Sequence, residues 1–312
     1  MFDGCSSLSE VDIAYTGNFT STYFGNWLRG VDYDGTMYYA GSDTTTGSSA
    51  IPSGWTVETT SFKGLTFTAR TSNSSVTMGG TLGTYDYSVD GRNWSLYTKN
   101  TTIGLDNVGD KAMFRARKGN ATVGSGTYET TTHFTFGGEV VASGNILSLL
   151  YRTPGTNTAI YTGGFNKMFE NATGLVDAEN LILPSTTLAD TAYQRMFNGC
   201  STLEKAPLEL PATTGTTACY GDMFAGTAIT KSPYIKMTSI PSGASWCWAS
   251  MFKNCSNLTE IKVDYTGNWM LSNNRMTTWV DGVAASGTFY YNGSDFSTGT
   301  NAIPSGWTVQ SF

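Results

Sequence analysis

Between Gly64 and about Phe136, apolar and polar residues alternate in short runs, LTFTA, SVTM, YDYSV, WSLYT and AMFRAR, separated by glycine-rich breaks. A period of two puts every second side chain on one face, so these runs predict half-buried strands. Asp90-Gly91 stands between YSV and RNWSLY, where Gly can supply a left-handed turn residue, and predicts a tight hairpin. Several such strands in about 75 residues predict a small antiparallel sandwich.

The second half follows another rhythm. Met-Phe pairs begin at 168, 196, 223 and 251, at spacings of 28, 27 and 28. Three residues before each Met stands an aromatic: Phe165, Tyr193, Tyr220 and Trp248. Positions i, i+3 and i+4 share a face of an α-helix, so each cluster predicts a short helix, extended in the second copy by Leu188 and Ala192. Asn198-Gly199 is suited to close that helix. An aliphatic residue recurs six or seven positions after each Met (Leu175, Leu203, Ile229, Leu258), and short extended pieces end at Pro184 and Pro211. Each unit reads as strand, loop and short helix. A unit this small cannot cover its own apolar face, so neighbours must stack over one continuous core. The third unit has Ile229 where others have Leu and lacks Leu-Pro-Ala-Thr, which predicts a local irregularity there.

A longer echo overlies this one. MFDGCSSLSEVDIAYTGN at the N-terminus matches MFKNCSNLTEIKVDYTGN from Met251, and AIPSGWTV occurs at 50–57 and again at 302–309. The first copy has no Met-Phe unit before it, which would leave Met1, Phe2, Leu8, Val11 and Ile13 exposed to water. The native protein is therefore expected to continue upstream with at least one more unit, as one link of an array.

The pattern Cys/Ala-Tyr/Trp-x-x-Met-Phe-x-x-Cys-x-x-Leu, with Leu-Pro-Ala-Thr-Thr between the helices, resembles the BspA-like leucine-rich-repeat proteins of bacterial cell surfaces. The resemblance covers roughly residues 137–312 and 1–57 and implies recognition or adhesion without fixing a ligand. The alternating stretch is similar to the immunoglobulin-like spacers of such proteins, although it lacks the Cys pair of antibody domains. The expected fold is thus multidomain α+β, a BspA-like leucine-rich-repeat solenoid plus an immunoglobulin-like β-sandwich. Residues 1–62 would be the terminal unit and closing segment of a preceding solenoid, 63–136 the sandwich, and 137–312 a solenoid with its closing segment.

Charge and composition narrow the function. Hydrophobic residues make up 39% of the chain, enough for packed cores, while only 13% are charged. A formal net charge of −6 without a Lys/Arg cluster excludes a nucleic-acid footprint. No apolar run approaches the roughly 20 residues of a membrane span, so no membrane insertion is expected of this segment.

Candidate chemistry is sparse. Cys5, Cys200 and Cys255 each fall four residues after a repeat Met, where other units carry Ala172 and Thr227, and Cys219 and Cys247 fall four before one. These are slots for small packed residues, so all five thiols are expected free and sheltered, with a Cys219–Cys247 bridge as the alternative. Asp32-Tyr33-Asp34-Gly35 looks like the start of a calcium loop, but its counterpart Ala284-Ala285-Ser286-Gly287 carries no carboxylate, so it reads as an acidic turn and no metal is assigned. Ser88 to Trp94 resembles the Asp-box of sialidase propellers with one residue too few, and reads as a hairpin. His133 is the single histidine, and no nucleophile elbow, zinc helix or phosphate loop accompanies it, so no catalytic residue or cofactor is assigned. Aromatics outside the repeat register, Trp246, Trp269, Trp279, Tyr23, Phe24 and Trp27, are the candidates for a ligand surface. The reading is a non-enzymatic extracellular binding or adhesion module on a bacterial surface, with a glycan or host-surface protein as partner. The alternatives are a phage fibre or capsid-decoration protein on the virion surface, and a glycan-active enzyme.

Overall fold

The computed structural model describes residues 1–58, 64–117, 132–151, 160–269 and 274–312, apart from residues 14, 34, 40, 81, 82 and 92. Asp34 of the acidic turn and Arg92 of the hairpin therefore lie outside the described residues. The chain falls into two units, Met1–Lys63 and Gly64–Phe312.

In the first unit, β1 (Glu10–Ile13), β2 (Thr36–Tyr39) and β3 (Thr56–Glu58) pair in parallel in that order, with the one-turn helix α1 (Ser21–Phe24) between β1 and β2. Trp27, Met37, Tyr39, Ile51 and Trp55 are buried at its core. In the second unit the alternating runs form strands as their period requires. β4 (Leu65–Ala69), β5 (Ser74–Gly79), β6 (Tyr85–Ser88), β7 (Ser95–Leu96), β8 (Thr102–Leu105), β9 (Lys111–Ala116), β10 (His133–Gly137) and β11 (Val140–Asn145) pair antiparallel in two sheets. The sheets meet through Phe67, Phe114 and Phe134, with ring centroids 4.7 Å apart for Phe67 and Phe134 and 5.3 Å for Phe114 and Phe134. Each such ring contributes roughly 1.5 to 3 kcal/mol by leaving water. Asp90-Gly91 lies in the β6–β7 connection, where Gly91 has a φ of 76° and the Asp90 carboxylate accepts from the Asn93 amide at 2.8 Å.

β11 also pairs in parallel with β12 (Leu175–Ile182), so this sheet runs on into the Met-Phe region. There β13 (Glu209–Leu210), β14 (Lys231–Ile235), β15 (Glu260–Val263), β16 (Thr288–Tyr290) and β17 (Thr308–Gln310) form a five-stranded parallel sheet. Its register slips between Lys231 and Tyr234, in the third repeat.

The α+β leucine-rich-repeat solenoid expected from the periodicity does not form. The fold is nearly all β, with about 3% of residues helical and 29% in strands, and the helices among the described residues are α1 and one 3₁₀ turn at Ile146–Leu149. The Met-Phe segments are instead runs of four-residue turns. Every fourth residue is left-handed: Gly163, Lys167 and Asn171, then Thr191, Arg195 and Gly199, then Ala218, Asp222 and Gly226. Within a run, amides bond three residues back, Met168 to Phe165 at 3.3 Å and Ala172 to Phe169 at 3.0 Å. The alternate amides leave the run altogether: Phe165 donates to the Ala192 carbonyl at 2.8 Å, Lys167 to Gln194 at 3.0 Å and Phe169 to Met196 at 2.8 Å.

Turns replace the helix for a physical reason. A four-residue turn and a 3.6-residue helix both bring i, i+3 and i+4 to one face, so the apolar pattern cannot separate them. The repeat length decides, because a neighbour 27 or 28 residues on presents carbonyls in register with amides that a helix would have satisfied internally. Left-handed backbone costs a non-glycine residue about 1 to 2 kcal/mol, and Gly or Asn at several of these positions lowers that cost.

Stacking follows from the register. Phe169, Phe197, Phe224 and Phe252 form a column with successive centroid separations of 5.4, 5.2 and 5.7 Å and near-parallel rings. Leu175, Leu203, Ile229 and Leu258 are wholly buried beside it. Cys200, Cys219, Cys247 and Cys255 are buried free thiols, with the Cys219 and Cys247 sulfurs 3.3 Å apart. Cys5 departs from the expected shelter and is exposed.

The repeated phrase closes both parallel sheets in the same way. Trp27 donates its indole N–H to the Ala50 carbonyl at 3.0 Å, and Trp279 donates to Ala302 at 2.8 Å. The phrase's own tryptophans reach back in turn, Trp55 to the Asp32 carbonyl and Trp307 to the Ala284 carbonyl, both at 2.8 Å.

Candidate functional site

Strand alternation in the parallel sheet turns Ile235, Ile261 and Val263 into the core and leaves Lys231, Tyr234, Glu260 and Lys262 on the outer side. Between β12 and β13 the pairing thins to a single bridge, Asp177 with Lys205, and Pro207-Leu208 line the opening. A cleft of about 380 Å³ opens at this break. The bulge in β14 shapes its floor: Ser232 donates to the Pro233 carbonyl at 2.8 Å and accepts the Lys262 amide at 3.1 Å.

The cleft is charge-balanced, with Glu179, Glu204 and Glu260 facing Lys205, Lys231 and Lys262. Most of these charges are paired. Lys205 Nζ lies 3.1 Å from Glu179 and 3.2 Å from Asp177, and its hydrogen bonds to them hold the ammonium above its usual pKa. Lys231 Nζ is 3.1 Å from Glu260, and Glu204 faces Arg70 at 3.9 Å. Lys262 sits over two rings, 4.4 Å from the Tyr234 centroid and 4.1 Å from Phe312. Tyr234 donates its hydroxyl to Asp264 at 2.7 Å, and this bond raises the phenol to about 12. Leu208 is 65% exposed at the rim, an apolar step beside the Tyr234 ring. Such a surface offers paired donors and acceptors and two apolar footholds, with little uncompensated charge.

The aromatic candidates named from sequence lie elsewhere. Trp269 and Trp279 are core residues, 1% and 0% exposed, stacked on each other at 5.6 Å, and Trp27 is buried in the first unit. They present no ring to a ligand, because the closing segments need them as apolar covers. Phe24 is half-buried against Phe19 and Trp27, while Tyr23 is exposed and Trp246 is 49% exposed. None of the six lines the cleft. The signal for the cleft was KSPYI in the irregular third repeat, where Lys231 and Tyr234 fall on the outward side.

In the first unit a shallower hollow of about 210 Å³ runs beside Arg29, Asp32 and Tyr33. No group of three or more His, Cys, Asp or Glu placed to hold a metal occurs among the described residues. No described helix is long and apolar enough to cross a membrane. Comparison with family models, curated proteins and solved structures finds no match to this chain.

Proposed function

We propose that this chain is a non-enzymatic extracellular binding module that attaches to a host surface through a glycan or an extended polypeptide. The observation that carries the reading is the charge-balanced cleft beside Leu208 and Tyr234. Its volume falls in the range of small-ligand sites, and it is lined by polar groups already paired with each other rather than by a lone nucleophile or base. A neutral polymer would share hydrogen bonds with the paired Lys and Glu groups and rest apolar surface on the tyrosine ring.

The test combines binding and turnover. The chain is screened against immobilised glycans and extended peptides while soluble products are followed. Tyr234→Ala and Leu208→Ser should each weaken the bound signal roughly tenfold, the effect of losing about 1.4 kcal/mol at the centre of a contact. Release of product would refute the reading, as would unchanged binding by both variants.

A further inference from the structure

The chain contains the same end unit twice, once covered and once bare, which makes it its own control. In the second copy Met251, Phe252, Cys255, Leu258 and Val263 are all fully buried. Their counterparts are not: Met1 is 94% exposed, Cys5 is exposed, and Phe2, Leu8 and Ile13 are half-buried. The difference is the run that precedes Met251. Phe224 stacks on Phe252 at 5.7 Å, and β14 pairs along β15. Phe224 and Gly226 donate their amides to the Met251 and Lys253 carbonyls, at 2.9 and 2.8 Å.

Backbone geometry in the first copy is set for the same neighbour. Phe2 donates to the Trp27 carbonyl and Gly4 to the Arg29 carbonyl, both at 2.7 Å, as Phe252 donates to Trp279 and Asn254 to Asp281 in the second. The peptides carrying the Met1 and Asp3 carbonyls therefore stand in the same orientation as their counterparts. Among the described residues no amide or side chain donates to either carbonyl. Among the described residues β1 is an edge strand, whereas its counterpart β15 lies between β14 and β16. Charge adds a further constraint. Lys231 is 3.1 Å from Glu260 and pairs with it in register, and the residue at that register position on β1 is Glu10.

We infer that the open face of the first unit, formed by Met1, Phe2, Cys5, Leu8 and the edge of β1, is a docking surface for a polypeptide run of the aromatic-x-x-Met-Phe type. The partner's strand carries a basic residue opposite Glu10. Its turn segment donates two amides to the Met1 and Asp3 carbonyls, its Phe continues the ring stack onto Phe2, and its aliphatic residue covers Leu8.

The occupant can be supplied from this chain. Residues 216–250, which directly precede Met251, are grafted in front of Met1 of the full chain, and Cys5 serves as the reporter through its rate with a thiol reagent. The graft should slow Cys5 by roughly tenfold or more, as burial makes a thiol inert. A graft carrying Met223→Ser and Phe224→Asp should leave it at the parent rate, and one carrying Lys231→Glu should protect it less than the unaltered graft. Against the possibility that the graft does not order, a synthetic peptide of residues 216–250 is titrated into the unmodified chain and into Leu8→Asp. Protection of Cys5 in the first but not the second supports the inference. Absence of protection in both the graft and the titration overturns it. So does a parent chain that already shields Cys5 in a concentration-dependent way, since the face would then be covered by a second copy.

Discussion

Lys167 separates the two conformations that the Met-Phe pattern permits, by the sign of an effect. It sits at a φ of 60°, one residue before Met168, and its amide donates to the Gln194 carbonyl at 3.0 Å. Lys167→Ala removes the side chain and keeps the left-handed strain, which costs a non-glycine residue about 1 to 2 kcal/mol. Lys167→Gly removes the side chain and the strain together, at an extra cost of about 0.5 to 1 kcal/mol in unfolded-chain entropy. Gly should therefore exceed Ala by about 0.5 to 1 kcal/mol. In a helix the order reverses, with Gly below Ala by a similar amount. For a unit as large as Gly64–Phe312, one kcal/mol moves Tm by about 2 to 4 °C, so the Gly variant should melt about 1 to 4 °C above the Ala variant. Scanning calorimetry and urea melts on both variants measure the difference. The same order is expected at Thr191, at a φ of 57° in the next repeat. Ala melting above Gly at both positions would refute the turn geometry and restore the helix.

Leu203→Ala should destabilise the second unit by about 2 to 5 kcal/mol, since the side chain is wholly buried in the repeat core, and a urea melt showing less than about 0.5 kcal/mol would deny that position. Burial pushes the Cys200 thiol up to about 12 and the Cys255 thiol up to about 11, so at neutral pH a thiol reagent should modify Cys5 rapidly and these two slowly. Denaturation without reductant should release five equivalents, and three would instead mean that Cys219 and Cys247 are bonded. Tyr234 is raised from 10 to about 12 by its hydrogen bond to Asp264, so the protonated phenol is favoured by the fold. The resulting stability is fully present below pH 10 and lost as pH rises towards about 12. Tyrosinate absorbance should show Asp264→Ala moving this group back towards its ordinary range, and an unchanged titration would deny the hydrogen bond.

Register was legible where one side chain has one job. Leu175, Leu203, Ile229 and Leu258 could be placed in the core from spacing alone, because a position that recurs as aliphatic has no other use. The strands of the sandwich could be read because a period of two has one geometric solution. The Met-Phe segments could not, since two local geometries bury the same positions. The deciding clue, Gly or Asn at 163, 171, 199, 226 and 254, is spread over four repeats and broken by Lys167, Thr191 and Arg195. The cleft was less legible still. Glu179, Lys205, Tyr234 and Lys262 come from separate repeats, and only strand pairing brings them together. Trp269 and Trp279 misled because bulk outside the repeat register suggested a surface role, while the end of a stacked core needs large side chains to shut water out.

The peptides that stand on end between repeats also give the stack a polarity. Each points its N–H towards the C-terminal side and its C=O towards the N-terminal side, from Phe165 to Ala192, Tyr193 to Cys219 and Tyr220 to Cys247. Aligned peptide dipoles add, as they do along a helix. One end of the stack is consequently electronegative and the other electropositive. At the positive end the Thr278 amide is met by the Asn301 side-chain oxygen at 2.7 Å, a cap on the last repeat. The first unit has the same sense, with its carbonyls outermost. Two such faces brought together about a two-fold axis would set carbonyl against carbonyl, so any extension through this face would be heterologous, head to tail, and each added unit would leave an acceptor face of the same kind.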